Sequence, residues 1–138
     1  MKNSFLAILI LFSAMAFGQD DSAETPKIGI KIPLGKTVQI KDVSIKFLEV
    51  MEDSRCPKNV NCIWAGRAVV KMEVTADGKK QETTLTFGDV KPGEKKNTTI
   101  FNSTEFAING LKLNPYPDSD NKGKNKGYVL LVCEEKNS

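Results

Sequence analysis

The sequence predicts an all-β fold, either an antiparallel β-sandwich or a small barrel of about seven or eight short strands. Apolar and polar residues alternate along most of the chain, which is the pattern of strands that bury one face. Turn-forming residues separate these alternating runs, and no apolar repeat of helical spacing extends beyond one turn. A chain of 138 residues is long enough for a single domain with a substantial core.

The N-terminal part of this domain contains three alternating runs. Ile28–Ile32 and Val38–Ile40 each predict one short strand. Val43–Val50 predicts a longer strand, in which the apolar phase changes after Phe47. A phase change of one residue inside a strand indicates a β-bulge.

The middle of the chain predicts a hairpin. Val70–Val74 and Leu85–Phe87 alternate as strands do, and Asp77-Gly78 between them is a strong signal for a two-residue turn. The predicted turns of the whole domain are Pro33-Leu34-Gly35, Ala76-Asp77-Gly78, Lys91-Pro92-Gly93 and the segment 115–127.

The C-terminal part contains the last predicted strands. The apolar residues of Phe106–Ile108 give way to those of Leu111–Leu113 across Asn109-Gly110. Tyr128–Cys133 is apolar at successive positions, which predicts a central strand buried on both faces.

Residues 1–18 have the order of a secretory signal peptide: a lysine, a short apolar run, and small residues before a cut near Gly18. The alternatives are a cut after Ala16 and a retained N-terminal anchor, but the apolar run is short for a membrane span. We therefore expect an exported protein, periplasmic or secreted, with no membrane span in the mature chain. A flexible leader is expected at 19–27 and a single β domain at 28–138.

The composition excludes several kinds of chemistry. The sequence has no histidine, which excludes Ser-His-Asp and Cys-His catalysis and histidine-liganded zinc or copper. The formal net charge of +3 is small and evenly spread, so we expect no nucleic-acid partner. We expect no cofactor and no metal.

The most unusual segment is 53–66, which reads DSRCPKNVNCIWAG. In an oxidising compartment, Cys56 and Cys62 are expected to form a disulfide that fixes the shape of a loop between two strands. The alternatives are a dithiol redox site, which usually has two residues between its cysteines, and a Cu(I) site with nearby methionines. The third cysteine, Cys133, is expected to stay a reduced thiol in the core, with a bridge to another cysteine or another chain as the alternative.

The same segment is the predicted binding loop. Its candidate contact residues are Asp53, Arg55, Pro57, Lys58 and Trp64. Trp64 is expected to pack on the disulfide as part of the core, with a role in holding a partner as the alternative. Arg55 is expected to brace the loop through a salt bridge to Asp53 or Glu52, and direct recognition by Arg55 is the alternative.

The late segment 118–127 has spaced carboxylates that are reminiscent of a calcium-binding loop. Lys122 occupies one acidic position of that pattern, however, and Val129 stands where a bidentate glutamate belongs. We therefore expect a solvated loop, in which Lys122, Lys124 and Lys126 form a small basic patch.

Two motifs resemble those of a group of small exported bacterial proteins of uncharacterised function. One is the Asp-Ser-Arg-Cys-Pro and Cys-Ile-Trp-Ala-Gly pattern within 53–66, and the other is Pro115-Tyr116-Pro117. The resemblance covers roughly residues 36–133. It implies a small β domain with a bridged loop, in the periplasm or outside the cell. It implies no activity, and Cys133 is not part of the shared pattern.

Three functions follow from these observations, in order of preference. The first is an exported non-enzymatic binding or structural module of the cell envelope, which contacts an unknown protein or other envelope ligand through the loop 53–66. The second is a protease inhibitor that presents Arg55 or Lys58 of that loop to a trypsin-like pocket. The third is a hydrolase that uses paired carboxylates, ranked last because charges that alternate along strands usually form the solvated face.

Overall fold

A computed structural model of the protein describes residues 28–121 and 127–138. These residues form two four-stranded antiparallel sheets that pack face to face. The predicted all-β fold is therefore confirmed as a sandwich, and the sheets do not close into a barrel. The strands are β1 (Gly29–Pro33), β2 (Thr37–Ile40), β3 (Val43–Asp53), β4 (Arg67–Ala76), β5 (Lys79–Gly88), β6 (Thr99–Asn102), β7 (Phe106–Asn114) and β8 (Val129–Lys136), with a short 3-10 helix at Ser119–Asn121.

The strand order is β1-β8-β7-β6 in one sheet and β2-β3-β4-β5 in the other. β8 buries Leu130 and Val132 toward the core and Cys133 on its opposite face, which confirms the predicted central strand. β4 and β5 form the predicted hairpin. Its turn residues Asp77 and Gly78 have φ angles of 51° and 73°, as a two-residue turn between twisted strands requires.

The core lies between the two sheets and is filled by the apolar residues of the alternating runs. Each large apolar side chain that folding removes from water contributes about 1.5–3 kcal/mol. Burial of the apolar residues of these alternating runs is therefore the main source of the stability of the fold. The largest fully buried residues are Phe47, Ile32, Ile45, Met72, Leu85, Ile108, Leu130, Val43, Val70, Val132 and Cys133.

The predicted bulge in β3 is present. Pairing with β4 shifts between Phe47 and Glu49, and a second shift lies between Val50 and Glu52. The second shift, which the apolar pattern does not indicate, falls just before the candidate binding loop. Bulges bend a strand and re-aim its side chains, so the loop leaves the sheet from a bent strand end.

Two features of the second half go beyond the sequence prediction. β7 continues through Asn109-Gly110, and its pairing with β8 shifts between Gly110 and Lys112. A Cβ on Gly110 would lie 2.9 Å from side-chain atoms of Leu85 and Phe87, so this glycine lets the opposite sheet approach closely. The sequence also does not predict β6, whose four residues contain only one adjacent pair of apolar side chains.

Several predictions fall on segments that the structure does not describe. The predicted signal peptide at 1–18, the leader at 19–27, and the basic residues Lys122, Lys124 and Lys126 lie outside the described residues. Within the described parts of the chain, no helix is long and apolar enough to cross a membrane.

The two ends of the sandwich differ in the length of their connections. One end, here named the loop end, carries the connections 54–66 and 89–98 and the described parts, 115–121 and 127–128, of a third long connection. The opposite end, here named the turn end, carries three short connections: 41–42, 77–78 and 103–105. The candidate binding loop therefore shares the loop end with two other long segments.

Candidate functional site

The predicted disulfide closes the loop 54–66. Cys56 and Cys62 are bonded with their Cα atoms 5.9 Å apart, which confirms the predicted pairing. The base of the loop is held by two backbone hydrogen bonds, from Ser54 N to the Arg67 carbonyl (2.8 Å) and from Cys56 N to the Ala65 carbonyl (2.9 Å). The loop thus extends the β3–β4 pair, and the disulfide closes it covalently.

A largely buried ion pair supports the base of the loop. The Arg55 guanidinium donates from Nε to Asp53 Oδ1 (2.8 Å) and from Nη2 to Asp53 Oδ2 (2.9 Å), and the two side chains are only 8% and 11% exposed. Arg55 also donates to the carbonyl oxygens of Leu113 (2.7 Å) and Pro115 (3.1 Å). Arg55 therefore braces the loop as expected, and it also ties the loop to the end of β7.

The late motif Pro115-Tyr116-Pro117 belongs to the same cluster. The Arg55 guanidinium lies 5.0 Å from the centre of the Tyr116 ring. Lys58 N donates to the carbonyl oxygen of Pro117 (3.0 Å). The two motifs, some sixty positions apart in the sequence, are therefore in direct contact.

Tyr128, directly before β8, completes the cluster. Its hydroxyl donates to Asp53 Oδ2 at 2.9 Å. Burial alone would raise the pKa of Asp53, but hydrogen bonds from Arg55 and Tyr128 outweigh it and hold this pKa below its ordinary value. Burial, and then the hydrogen bond to Asp53, raise the pKa of Tyr128.

Asp53 and Arg55, two of the predicted contact residues, offer little surface to a partner. Their side chains are paired with each other and are only 11% and 8% exposed. Pro57 is half-buried, and Lys58 is exposed. Of the predicted contact residues, Lys58 and Trp64 therefore remain available to a partner.

The favoured interpretation of Trp64 as a core residue is wrong. Trp64 is 78% exposed and its neighbour Ile63 is 95% exposed. The core between the sheets is filled by strand residues. Trp64 lies in the loop that precedes β4, and its side chain is outside this core. The structure agrees instead with the alternative in which Trp64 is free to contact a partner.

A second ion cluster, centred on Arg67, supports the connection 89–98. Arg67 is only 8% exposed. Its guanidinium donates from Nε to Glu52 Oε2 (3.0 Å) and from Nη1 to Glu94 Oε2. Hydrogen bonds from Arg67 lower the pKa values of Glu52 and Glu94, and those carboxylates in turn raise the pKa of Arg67. Sequence reasoning missed this cluster, although Arg67 is one of two arginines and directly follows the loop.

Two clefts flank the loop and share Gly66 and Gly88. The first, of about 690 Å³, has Trp64, Val90 and Pro92 as its apolar lining. The second, of about 850 Å³, is lined by residues that include Phe87, Leu111, Tyr116, Lys58 and Lys112. The loop end therefore exposes apolar surface on both sides of the loop as well as at its tip.

The exposed side chains closest to the loop include several lysines. The loop residues from Ser54 to Gly66 include no Asp or Glu. Exposed lysines surround the loop at Lys58, Lys91, Lys95, Lys96 and Lys112. They outnumber Asp89, Asp118 and Asp120, but the Arg67 cluster pairs one arginine with two glutamates, so positive charges exceed negative ones only slightly over the described residues of this end.

Cys133 lies away from this region. It is fully buried on the face of β8 that points away from the core, and its Sγ is 3.9 Å from Glu135 Oε1. The structure places it outside the Cys56–Cys62 bridge. Among the residues that the structure describes, no three Cys, Asp or Glu side chains are grouped so that they could hold a metal ion.

No protein-family model, curated protein or solved structure matches this chain.

Proposed function

We propose that the protein is an exported, non-enzymatic binding module of the cell envelope, and that the loop end is its contact surface. The observation that carries the proposal is the exposure of Ile63 and Trp64 on a loop that a disulfide and Arg55 hold in place. Exposed apolar clusters mark interaction sites, and tryptophan is among the residues that contribute most to binding. Export is supported by the order of residues 1–18 and by the disulfide.

The state of the carboxylates supports binding over hydrolysis. A general acid that works near neutral pH needs a raised pKa. At the loop end the pKa values of Glu52, Asp53 and Glu94 are lowered by their arginine partners. These carboxylates stabilise the loops through their ion pairs with Arg55 and Arg67.

Protease inhibition is a weaker candidate. The Arg55 side chain is 8% exposed and cannot enter the pocket of a protease without leaving Asp53. Lys58 is exposed, but its backbone N–H already pairs with Pro117. Slow cleavage of a small trypsin substrate in the presence of intact protein would favour inhibition through Lys58.

Site-specific photo-cross-linking in exporting cells tests the proposed contact surface. A photoreactive phenylalanine analogue replaces Ile63 in one variant and Lys79, which is exposed at the turn end, in a matched control. We expect a discrete protein, lipid or glycan adduct from position 63 only, and an intact mass that corresponds to cleavage near Gly18. The same adducts from both positions, or none from position 63, would contradict the proposal.

A further inference from the structure

We propose that the loop end docks on the surface of an anionic phospholipid bilayer, with Ile63 and Trp64 inserted at the headgroup boundary. This inference rests on the proposed function, because it names the partner of the same contact surface. It describes peripheral docking, in which no segment of the described chain crosses the bilayer.

Exposed apolar side chains are concentrated at one end of the molecule. Among the described residues, the large hydrophobic side chains that are well exposed lie in or next to the loop end, with the exception of Ile28. They are Leu34, Met51, Val60, Ile63, Trp64, Val90, Leu111 and Tyr116. Exposed apolar side chains that are grouped at one end, and not scattered singly, mark a surface that another molecule covers.

The shape of the tip favours a bilayer over a small ligand. Ile63, with 95% of its surface exposed, projects from the loop and lies in neither cleft. A small ligand buries itself in a concave site, whereas a projecting side chain has to enter something larger. Trp64 is suited to the membrane–water interface, where an indole ring keeps one edge apolar and one edge hydrated.

The charges are complementary to an anionic surface. The loop from Ser54 to Gly66 carries Lys58 and no carboxylate, and exposed lysines lie on the connections beside it, whereas carboxylates and lysines alternate at the turn end, at Lys41, Asp42, Asp77, Lys79 and Glu105. A lysine near an anionic membrane contributes about 1 kcal/mol of attraction, which corresponds to about a fivefold change in affinity. The absence of carboxylates from the loop that carries Ile63 and Trp64 therefore lets this tip approach an anionic bilayer without charge repulsion.

The loop that carries Ile63 and Trp64 is already ordered before it meets a membrane. The disulfide, the hydrogen bonds of Arg55 to Leu113 and Pro115, and the Ser54–Arg67 pairing fix the loop against the sandwich. Ile63 and Trp64 therefore cannot fold back over the core to escape water. A surface that is already ordered loses little conformational entropy on binding.

The test uses Trp64 as the reporter, because it is the only tryptophan in the sequence. Exported protein is mixed with vesicles of phosphatidylglycerol and phosphatidylethanolamine, or with vesicles of phosphatidylcholine alone. We expect a blue shift of the Trp64 emission, quenching by brominated lipids and protection from iodide with the anionic vesicles. Binding should weaken as salt is added.

Two variants and one control assign the contact. Ile63→Ser should weaken partitioning onto anionic vesicles about tenfold, because a large apolar side chain is lost from the inserted tip. Lys58→Gln should weaken it about fivefold and reduce its salt dependence. Ile28→Ser removes an isoleucine that is 78% exposed and precedes β1, away from the loop end, and should leave binding within about twofold of the parent.

The outcomes separate this inference from the proposed function. Unchanged Trp64 emission with anionic vesicles, or an equal loss of binding in Ile63→Ser and Ile28→Ser, overturns membrane docking. If position 63 still forms a protein or glycan adduct in cells, the binding module stands and its partner is that molecule. If vesicles do not bind and no adduct forms, both proposals are wrong.

Discussion

Gly66 at the loop end and Gly78 at the turn end have almost the same backbone conformation, with φ angles of 72° and 73°. A Cβ on Gly78 would meet nothing within 4 Å, whereas a Cβ on Gly66 would lie 1.9 Å from the carbonyl oxygen of Ser54. The turn end is thus specified by local turn chemistry. The loop end depends on contacts between segments that are distant in the sequence, and these contacts hold an apolar tip in water.

Among the substitutions that test this comparison between the two ends, Arg55→Met should lower the free energy of unfolding most. The change leaves Asp53 buried without its cation, and removing one partner of a buried ion pair costs about 3–5 kcal/mol. The matched change at the turn end is Lys80→Met, because Lys80 is 71% exposed and lies 3.9 Å from Glu73. We expect that control to change the free energy of unfolding by less than about 1 kcal/mol.

Urea unfolding measures both variants. Similar losses of the free energy of unfolding in Arg55→Met and Lys80→Met would contradict a structural role for Arg55. Such a result would return Arg55 to the candidate contact residues.

The two glycines give the next largest difference. Gly78→Ala should cost about 1 kcal/mol, because alanine tolerates a left-handed backbone at that cost when nothing obstructs its Cβ. Gly66→Ala adds a collision with the Ser54 backbone and should cost at least about 2 kcal/mol more. Thermal unfolding of the pair checks the difference, and equal shifts in Tm would show that the loop base yields easily.

The sequence predicts what depends on local pattern. Alternation gives most of the strands and the first bulge in β3, and Asp77-Gly78 gives its hairpin. It also predicts the Cys56–Cys62 bridge and a salt bridge from Arg55 to Asp53 or Glu52, because these partners are close along the chain, and the structure pairs Arg55 with Asp53. β6 was not predictable in this way, because two apolar residues are too few to show a period.

The sequence does not predict what depends on distant partners. Arg55 bonds to Leu113 and Pro115, whose positions relative to the loop follow from how the two sheets pack. The exposure of Trp64 has the same origin. An indole beside a cysteine fits a core as well as a surface, and only the filled space between the sheets decides between them.

Opening the disulfide should have an intermediate effect on stability. In the chain-entropy description, a closed loop of this size stabilises the native state by about 2 kcal/mol. Cys56→Ser combined with Cys62→Ser should lower the free energy of unfolding by about that amount while the sandwich still folds. Intact masses with and without reduction check the bridge in the parent, and global unfolding of the double variant at room temperature would show that the bridge contributes more.

Acid should weaken the loop end. The pKa values of Glu52, Asp53 and Glu94 are lower in the native state than in the unfolded chain, so their stabilisation is complete above the unfolded values, about pH 4. It is lost as the pH falls through the native values. The pKa of Tyr128 is higher in the native state than in the unfolded chain, so its stabilisation is present below the unfolded value and is lost as the pH rises. Stability should therefore fall above about pH 10. Urea midpoints across pH test both predictions. Asp53→Asn combined with Arg55→Met should remove the Asp53 contribution and make the acid loss shallower, while Glu52 and Glu94 keep theirs.

Substitutions at the exposed tip should have the smallest effect on stability, and they are the most informative about function. Trp64→Ala and Ile63→Ser remove side chains that are 78% and 95% exposed, so each should change the free energy of unfolding by no more than about 0.5 kcal/mol. Truncation of a large apolar residue in the core, such as Phe47→Ala, should cost about 3–5 kcal/mol. Urea unfolding, together with ready quenching of the parent Trp64 emission by iodide, distinguishes the two environments. A loss for Trp64→Ala close to that for Phe47→Ala would mean that the tip packs against the sandwich in solution. Neutral variants would instead show that the fold does not need these two side chains, which is what a surface kept for a partner requires.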